Sequence, residues 1–110
     1  DHAILDFIKK FEGMPIGAIS IAPLLLLKAG LLEGKPFMAG VNPEDLFEEG
    51  YTADALSLMT GWDANLENPI QEGYIQAGNI VTSVSYHFVR WALAFGRMIG
   101  IDLPPKTFGL

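Results

Sequence analysis

Residues 16–27 form the longest apolar run of the chain, and this run restricts what the sequence can fold into. It contains one serine, Ser20, and one proline, Pro23. The run is too short to cross the hydrocarbon core of a bilayer, which takes about 20 helical residues. The chain has no basic start at its N-terminus, so the run is not typical of a signal peptide either. It therefore predicts a segment that is buried inside a folded domain.

The two halves of this run predict a strand that is followed directly by a helix. Residues 15–21 include β-branched side chains and are apolar on both faces, which is typical of a central parallel strand. Pro23 suits the first turn of a helix and Gly30 suits its C-terminal stop, so the pattern predicts a helix over 23–28. Ser20 then lies at the turn between the strand and the helix.

Periodicity and turn residues predict the remaining elements of one α/β domain that covers residues 1–110. The first is a helix capped by Asp1, with an apolar face of Ala3, Ile4, Phe7, Ile8 and Phe11. After the helix over 23–28 come a strand over 35–39, a helix from Asn42-Pro43 to Gly50, helical turns over 52–59, and strands over 69–77 and 79–83 joined at Gly78-Asn79. The last helix is capped by Ser85 and has an apolar face of Phe88, Trp91, Ala92, Phe95 and Ile99, and a tail over 102–110 crosses the domain surface.

Composition and charge exclude several classes of partner. The net charge is -6, whereas nucleic acids and anionic membranes need a basic face, so neither is expected as a partner. The chain has no cysteine, which agrees with a reducing compartment and predicts a cytoplasmic protein. Half of the 110 residues are apolar, a large share for a small domain. We therefore expect that a second copy of the chain or a missing N-terminal segment covers part of the surface.

Two segments resemble the ThiJ/PfpI family of the DJ-one superfamily, which has the class I glutamine amidotransferase-like fold. Residues 17–35, GAISIAPLLLLKAGLLEGK, are similar to the family's nucleophile-elbow segment. Residues 78–83, GNIVTS, and the helix after them are similar to its Gly-Asn-Leu-Ile-Thr-Ser segment and C-terminal helix. The resemblance implies a flavodoxin-like three-layer sandwich with a mostly parallel sheet. It begins at the helix before the elbow, so it implies the C-terminal portion of that fold without its N-terminal strands.

Ser20 occupies the position of the family's elbow cysteine, and Ile21 replaces the histidine that often follows. A cysteine is partly thiolate near neutral pH, whereas a serine hydroxyl needs a positioned base. The family's glyoxalase-like, peptidase-like and deglycase-like activities and its redox sensing therefore do not carry over. The favoured interpretation is a ligand-binding or regulatory member. In it, the backbone at Ile21 and Ala22 binds a small anion or carboxylate, and Ser85 and Tyr86 contribute to the site.

The alternative is a serine-dependent hydrolase or amidohydrolase. His87 follows the strand that ends at Ser83, and parallel sheets gather their sites at the carboxyl ends of strands. Ser20 and His87 would be the catalytic pair, with Trp62 shaping the pocket beside Ser85 and Tyr86. A third interpretation is a protein that acts only through assembly, as a dimer. The two histidines and the scattered carboxylates have no metal-ligand spacing, so no metal is expected. No cofactor is indicated.

Overall fold

The computed structural model describes residues 2–101, which form an α/β fold. The predictions for Asp1 and for the tail over 102–110 lie outside these residues. In chain order the elements are α1 (His2–Lys9), β1 (Ile16–Ile19), α2 (Pro23–Lys28), β2 (Phe37–Met38), α3 (Pro43–Phe47), β3 (Met59–Thr60), α4 (Trp62–Glu67), β4 (Ile75–Ala77), β5 (Ile80–Ser83), a 3₁₀ turn (Ser85–His87) and α5 (Phe88–Met98).

The strands of the described part form two small sheets. One has the order β1-β5-β4, with β1 parallel and β4 antiparallel to the central β5. The other pairs β2 with β3 in parallel. The α/β class is confirmed, but the main sheet is mixed and not mostly parallel. The reason is the tight turn at Gly78, where φ is 61°, because a hairpin turn returns the chain alongside the strand it has just left.

The hydrophobic core lies between the main sheet and α2 with the turn that follows it. Within α2, Leu26 and Pro23 are buried, whereas Leu25 is 43% exposed, so the helix packs on one side. The core cluster consists of Ala18, Leu26, Ala29, Leu31, Leu32, Phe37, Ala39 and Ile80. The backbone N–H of Met38 donates to Thr82 Oγ1 at 2.8 Å, and this bond joins the two sheets.

α5 packs across β1 at a point where the strand has no side chain. A Cβ atom at Gly17 would lie 2.9 Å from the ring of Phe95 and 3.0 Å from Trp91. The two rings are stacked with their centroids 6.1 Å apart. The predicted face of this helix is correct for these two residues. It is wrong at Phe88, the first residue of α5, and at Ile99, just after its end, because both are exposed. The buried residues of α5 are Leu93 and Ala94, outside the predicted face.

The first helix and the edge of β1 present an apolar surface. Ile8 packs against the core, but Ile4 and Phe7 are 50% and 59% exposed. Within the described residues β1 pairs only with β5, so its other edge is open. The predicted second copy or N-terminal segment that would cover this surface stays a prediction. No helix among residues 2–101 is long and apolar enough to cross a membrane.

Candidate functional site

The turn at Ser20 has an unusual backbone conformation. Its φ is 64°, and among residues 2–101 no other residue except glycine has a positive φ. A left-handed conformation costs a residue with a side chain about 1–2 kcal/mol. Two hydrogen bonds hold it, because Ser20 N–H donates to Ser83 O at 3.0 Å and Ser20 O accepts from Gly40 N–H at 2.7 Å. The result is a sharp turn between β1 and α2.

Gly40 allows the chain after β2 to lie directly against this turn. A Cβ atom at position 40 would stand 3.2 Å from Ser20 Cα and 3.4 Å from Ser20 Oγ. The first of these distances is tighter than ordinary van der Waals contact, so a side chain at position 40 would displace the serine. Sequence analysis missed Gly40, and a lone glycine after a short strand is too weak a signal to reveal such a contact.

The turn offers fewer backbone donors than the resemblance implies. Ala22 N–H already donates to Ile19 O at 3.2 Å, and Pro23 has no N–H. Among the described residues no hydrogen bond uses Ile21 N–H, and the Ile21 side chain is 60% exposed. The half-buried Ser20 hydroxyl likewise has no hydrogen-bond partner within residues 2–101. Of the two predicted backbone ligands, Ile21 is therefore available and Ala22 is not.

The loop after β5 lies at the same edge of the sheet as Ser20. The register pairs Ile19 with Ser83, so the carboxyl ends of β1 and β5 meet. The Ser83 hydroxyl is buried and donates to Gly73 O at 2.6 Å. Ser85, two residues further on, is exposed. The loop after β5 therefore lies at the carboxyl ends of the parallel strands β1 and β5, where the sequence predicted it.

A buried asparagine organises the two site residues after Ser85. Asn65 in α4 is fully buried, and its Oδ1 accepts from Ile70 N–H at 2.9 Å. Its Nδ2 therefore carries the hydrogens, which it donates to Tyr86 Oη at 2.5 Å and towards His87 Nε2 at 3.3 Å. His87 Nε2 must then accept, so the imidazole proton lies on Nδ1. All the hydrogen-bonding groups of Asn65 are used.

Electrostatics keep His87 neutral but do not make it a base for Ser20. Burial lowers the pKa of His87, and the nearby charge of Arg90 lowers it further. The lone pair of the imidazole lies on Nε2, where it accepts a hydrogen bond from Asn65. Within the described part of the chain, no hydrogen bond joins Ser20 to His87. The observed partners favour a structural role for the histidine.

No helix was predicted at α4, which lies between the predicted elements over 52–59 and 69–77. The ring of Trp62 meets that of Tyr86 edge to face, with centroids 5.0 Å apart. Asn42 stands at the N-cap position of α3, but its side chain makes no cap bond to that helix. Its Oδ1 accepts from Asp63 N–H, in the first turn of α4, at 2.9 Å. Gly61 followed by an acidic first turn was the signal that could have revealed this helix.

The chain matches no family model, no curated protein and no solved structure. The likeness to the ThiJ/PfpI family therefore rests on the two quoted segments. Among residues 2–101 no group of three or more histidine, aspartate or glutamate side chains lies close enough together to hold a metal ion.

Replacing Asn65 with alanine should destabilise the protein. The Asn65→Ala variant leaves Ile70 N–H, Tyr86 and His87 without their buried partner. An unsatisfied buried group costs about 1–3 kcal/mol, so we expect a loss of about 2–3 kcal/mol in the free energy of unfolding, measured by urea denaturation. The control is Asn68→Ala, at an exposed position that follows the same helix. Equal losses in the two variants would contradict the role given to Asn65.

The lowered pKa of His87 predicts a loss of stability in mild acid. Below its ordinary value of 6.5, the unfolded chain binds a proton at this residue, whereas the folded chain does so only at lower pH. The free energy of unfolding should therefore fall as the pH drops below about 6.5. His87→Gln keeps an acceptor for Asn65 but cannot titrate, so urea denaturation between about pH 7.5 and 5.5 should show a smaller fall.

The matched control for this comparison is His2→Gln, because His2 is exposed. If His87→Gln shows the same fall as the unmodified chain, titration of His87 is not the cause.

Proposed function

We propose that this chain is a ThiJ/PfpI-like domain that binds a small ligand at the Ser20 turn without covalent chemistry. The observation that carries the proposal is the left-handed Ser20, held by hydrogen bonds to Ser83 and Gly40. Strained backbone conformations cluster at functional sites, because a fold retains them only where the surrounding contacts enforce them. In this proposal the chain forms the C-terminal portion of a flavodoxin-like three-layer sandwich, as the resemblance implies.

A carboxylate is the ligand group that best fits the free donors at this turn. Two donors without a partner among the described residues lie next to each other, the hydroxyl of Ser20 and the N–H of Ile21. A carboxylate has two acceptor oxygens and can receive both. The exposed side chain of Ile21 offers apolar surface for the rest of the ligand. The net charge of -6 opposes anions in general, so we expect weak binding to a bare carboxylate.

The hydrogen bonds of His87 support binding without catalysis. A serine nucleophile needs a base within hydrogen-bond reach. The Nε2 lone pair of His87 accepts from Asn65, and Nδ1 carries the proton. Neither nitrogen is then free to remove a proton from Ser20.

The serine-dependent hydrolase is the second candidate, because the lowered pKa of His87 keeps its imidazole neutral near neutral pH. The Asn65 contact would have to break during the reaction. If this candidate is correct, a fluorophosphonate probe should label Ser20 covalently. The His87→Ala variant should then lose the label, as read by intact mass. A folded chain that takes up no label would end this candidate.

Two further parts of the proposal come from the sequence alone. The absence of cysteine supports a cytoplasmic setting. The high apolar content supports a second copy, or a preceding N-terminal segment, as the cover of the open edge of β1.

Acetate titration followed by amide NMR tests the ligand site directly. Millimolar acetate should shift the amide signals of Ile21 and Gly40 in a saturable way. Ser20→Ala should weaken binding by about two- to tenfold, the effect of one neutral hydrogen bond, since Ile21 N–H remains. The matched control is Ser57→Ala, at an exposed serine outside this turn. A folded chain whose Ile21 and Gly40 amides do not respond would contradict the proposal.

A further inference from the structure

A cavity lies at the other end of α2 from Ser20. Three segments form its walls, namely the last residues of α2, the turn over 30–35 and the chain over 49–58. Its volume is about 590 Å³, within the roughly 300–1,000 Å³ of small-molecule sites. The six residues of α2 separate it from the Ser20 turn by about 9 Å along the helix axis. It is thus distinct from the site described above.

The inner wall of this cavity is apolar. Leu32 is buried with 1% of its surface exposed, and Leu27 is partly buried against the core. Leu58, on the opposite segment, is 45% exposed although it lines the cavity. A ligand that covered Leu58 would remove apolar surface from water, which is favourable at about 25 cal/mol per Å².

Charges of both signs surround this apolar wall. Glu33, Glu49 and Asp54, which carry carboxylates, and Lys28 and Lys35, which carry ammonium groups, are among the residues that line the same cavity. Lys28 Nζ lies 5.5 Å from the ring centroid of Tyr51, a cation–π contact. Within residues 2–101 neither lysine forms an ion pair with a carboxylate. Both signs of charge therefore remain available to a ligand.

We propose that this cavity binds a zwitterionic short peptide with apolar side chains, independently of the function proposed for Ser20. A ligand with only a negative charge would meet the three carboxylates, and one with only a positive charge would meet the two ammonium groups. A peptide with a free amino group and a free carboxylate pairs with both sets, while its side chains cover the exposed Leu58. Like-charge contacts thus select against the singly charged analogues.

The size of the cavity favours a dipeptide. A volume of about 590 Å³ lies within the range of sites that hold drug-sized ligands. A dipeptide of two large apolar residues is of that size, whereas a single amino acid is smaller.

The test is a titration of the 15N-labelled chain with leucyl-phenylalanine, followed by amide NMR. Saturable shifts are expected at the wall residues Gly30, Gly34 and Gly50. Lys35→Gln should weaken binding by about two- to fivefold, the effect of one partly exposed ion pair. The matched control is Lys10→Gln, at an exposed lysine outside the cavity, which should leave the affinity unchanged. The amide spectrum itself reports whether each variant is folded.

Two analogues test the charge requirement. N-acetyl-leucyl-phenylalanine lacks the ammonium group and leucyl-phenylalanine amide lacks the carboxylate, so both should bind more weakly than the dipeptide. Equal affinity for all three compounds would overturn the zwitterion assignment, and no saturable shift with the dipeptide would overturn the site. Shifts at Ile21 and Gly40 in place of the wall glycines would also overturn it, by placing the peptide at the Ser20 turn.

Discussion

The backbone of β5 bonds to β1 on one side and to β4 on the other, and its four side chains are all buried. Its two polar side chains extend these connections. Thr82 accepts from Met38 and so attaches the second sheet, while Ser83 donates to Gly73 and fixes the segment before β4. The carbonyl of Ser83 receives the N–H of Ser20. Loss of β5 would therefore remove the main sheet, its link to the second sheet and the candidate site together.

The conformation of Ser20 shows how the surrounding fold enforces a locally unfavourable turn. The left-handed backbone costs about 1–2 kcal/mol, and each of two backbone hydrogen bonds contributes about 0.5–1.5 kcal/mol net. The two amounts are comparable, so the bonds to Ser83 and Gly40 roughly offset the strain. Neither partner is near Ser20 in sequence. The turn is thus a product of tertiary structure, although the residue types around it mark its place.

Sequence analysis predicted those elements whose signals are local. Pro23 and Gly30 bound α2 as expected, and Gly78 turns the hairpin. The acceptor at the start of α4 had no local signal, because it is the side chain of Asn42, twenty-one residues away. Periodicity likewise identifies which residues of α1 share a face, but it carries no information on what covers that face. The network at Asn65 depends on residues of separate segments and has no local signature.

The parallel pairing of β1 with β5 also sets the order in which the protein can fold. Residue 16 pairs with residue 80, so most of the chain must be enclosed as a loop before this contact forms, whereas β4 and β5 are joined by a tight turn. Hairpins form in about 1–10 μs, but contacts between distant residues are slowed by the entropy of loop closure. We expect β4 and β5 to associate early and β1 to join them late. The turn at Ser20, which needs Ser83 as its acceptor, would then adopt its native conformation among the last parts of the chain.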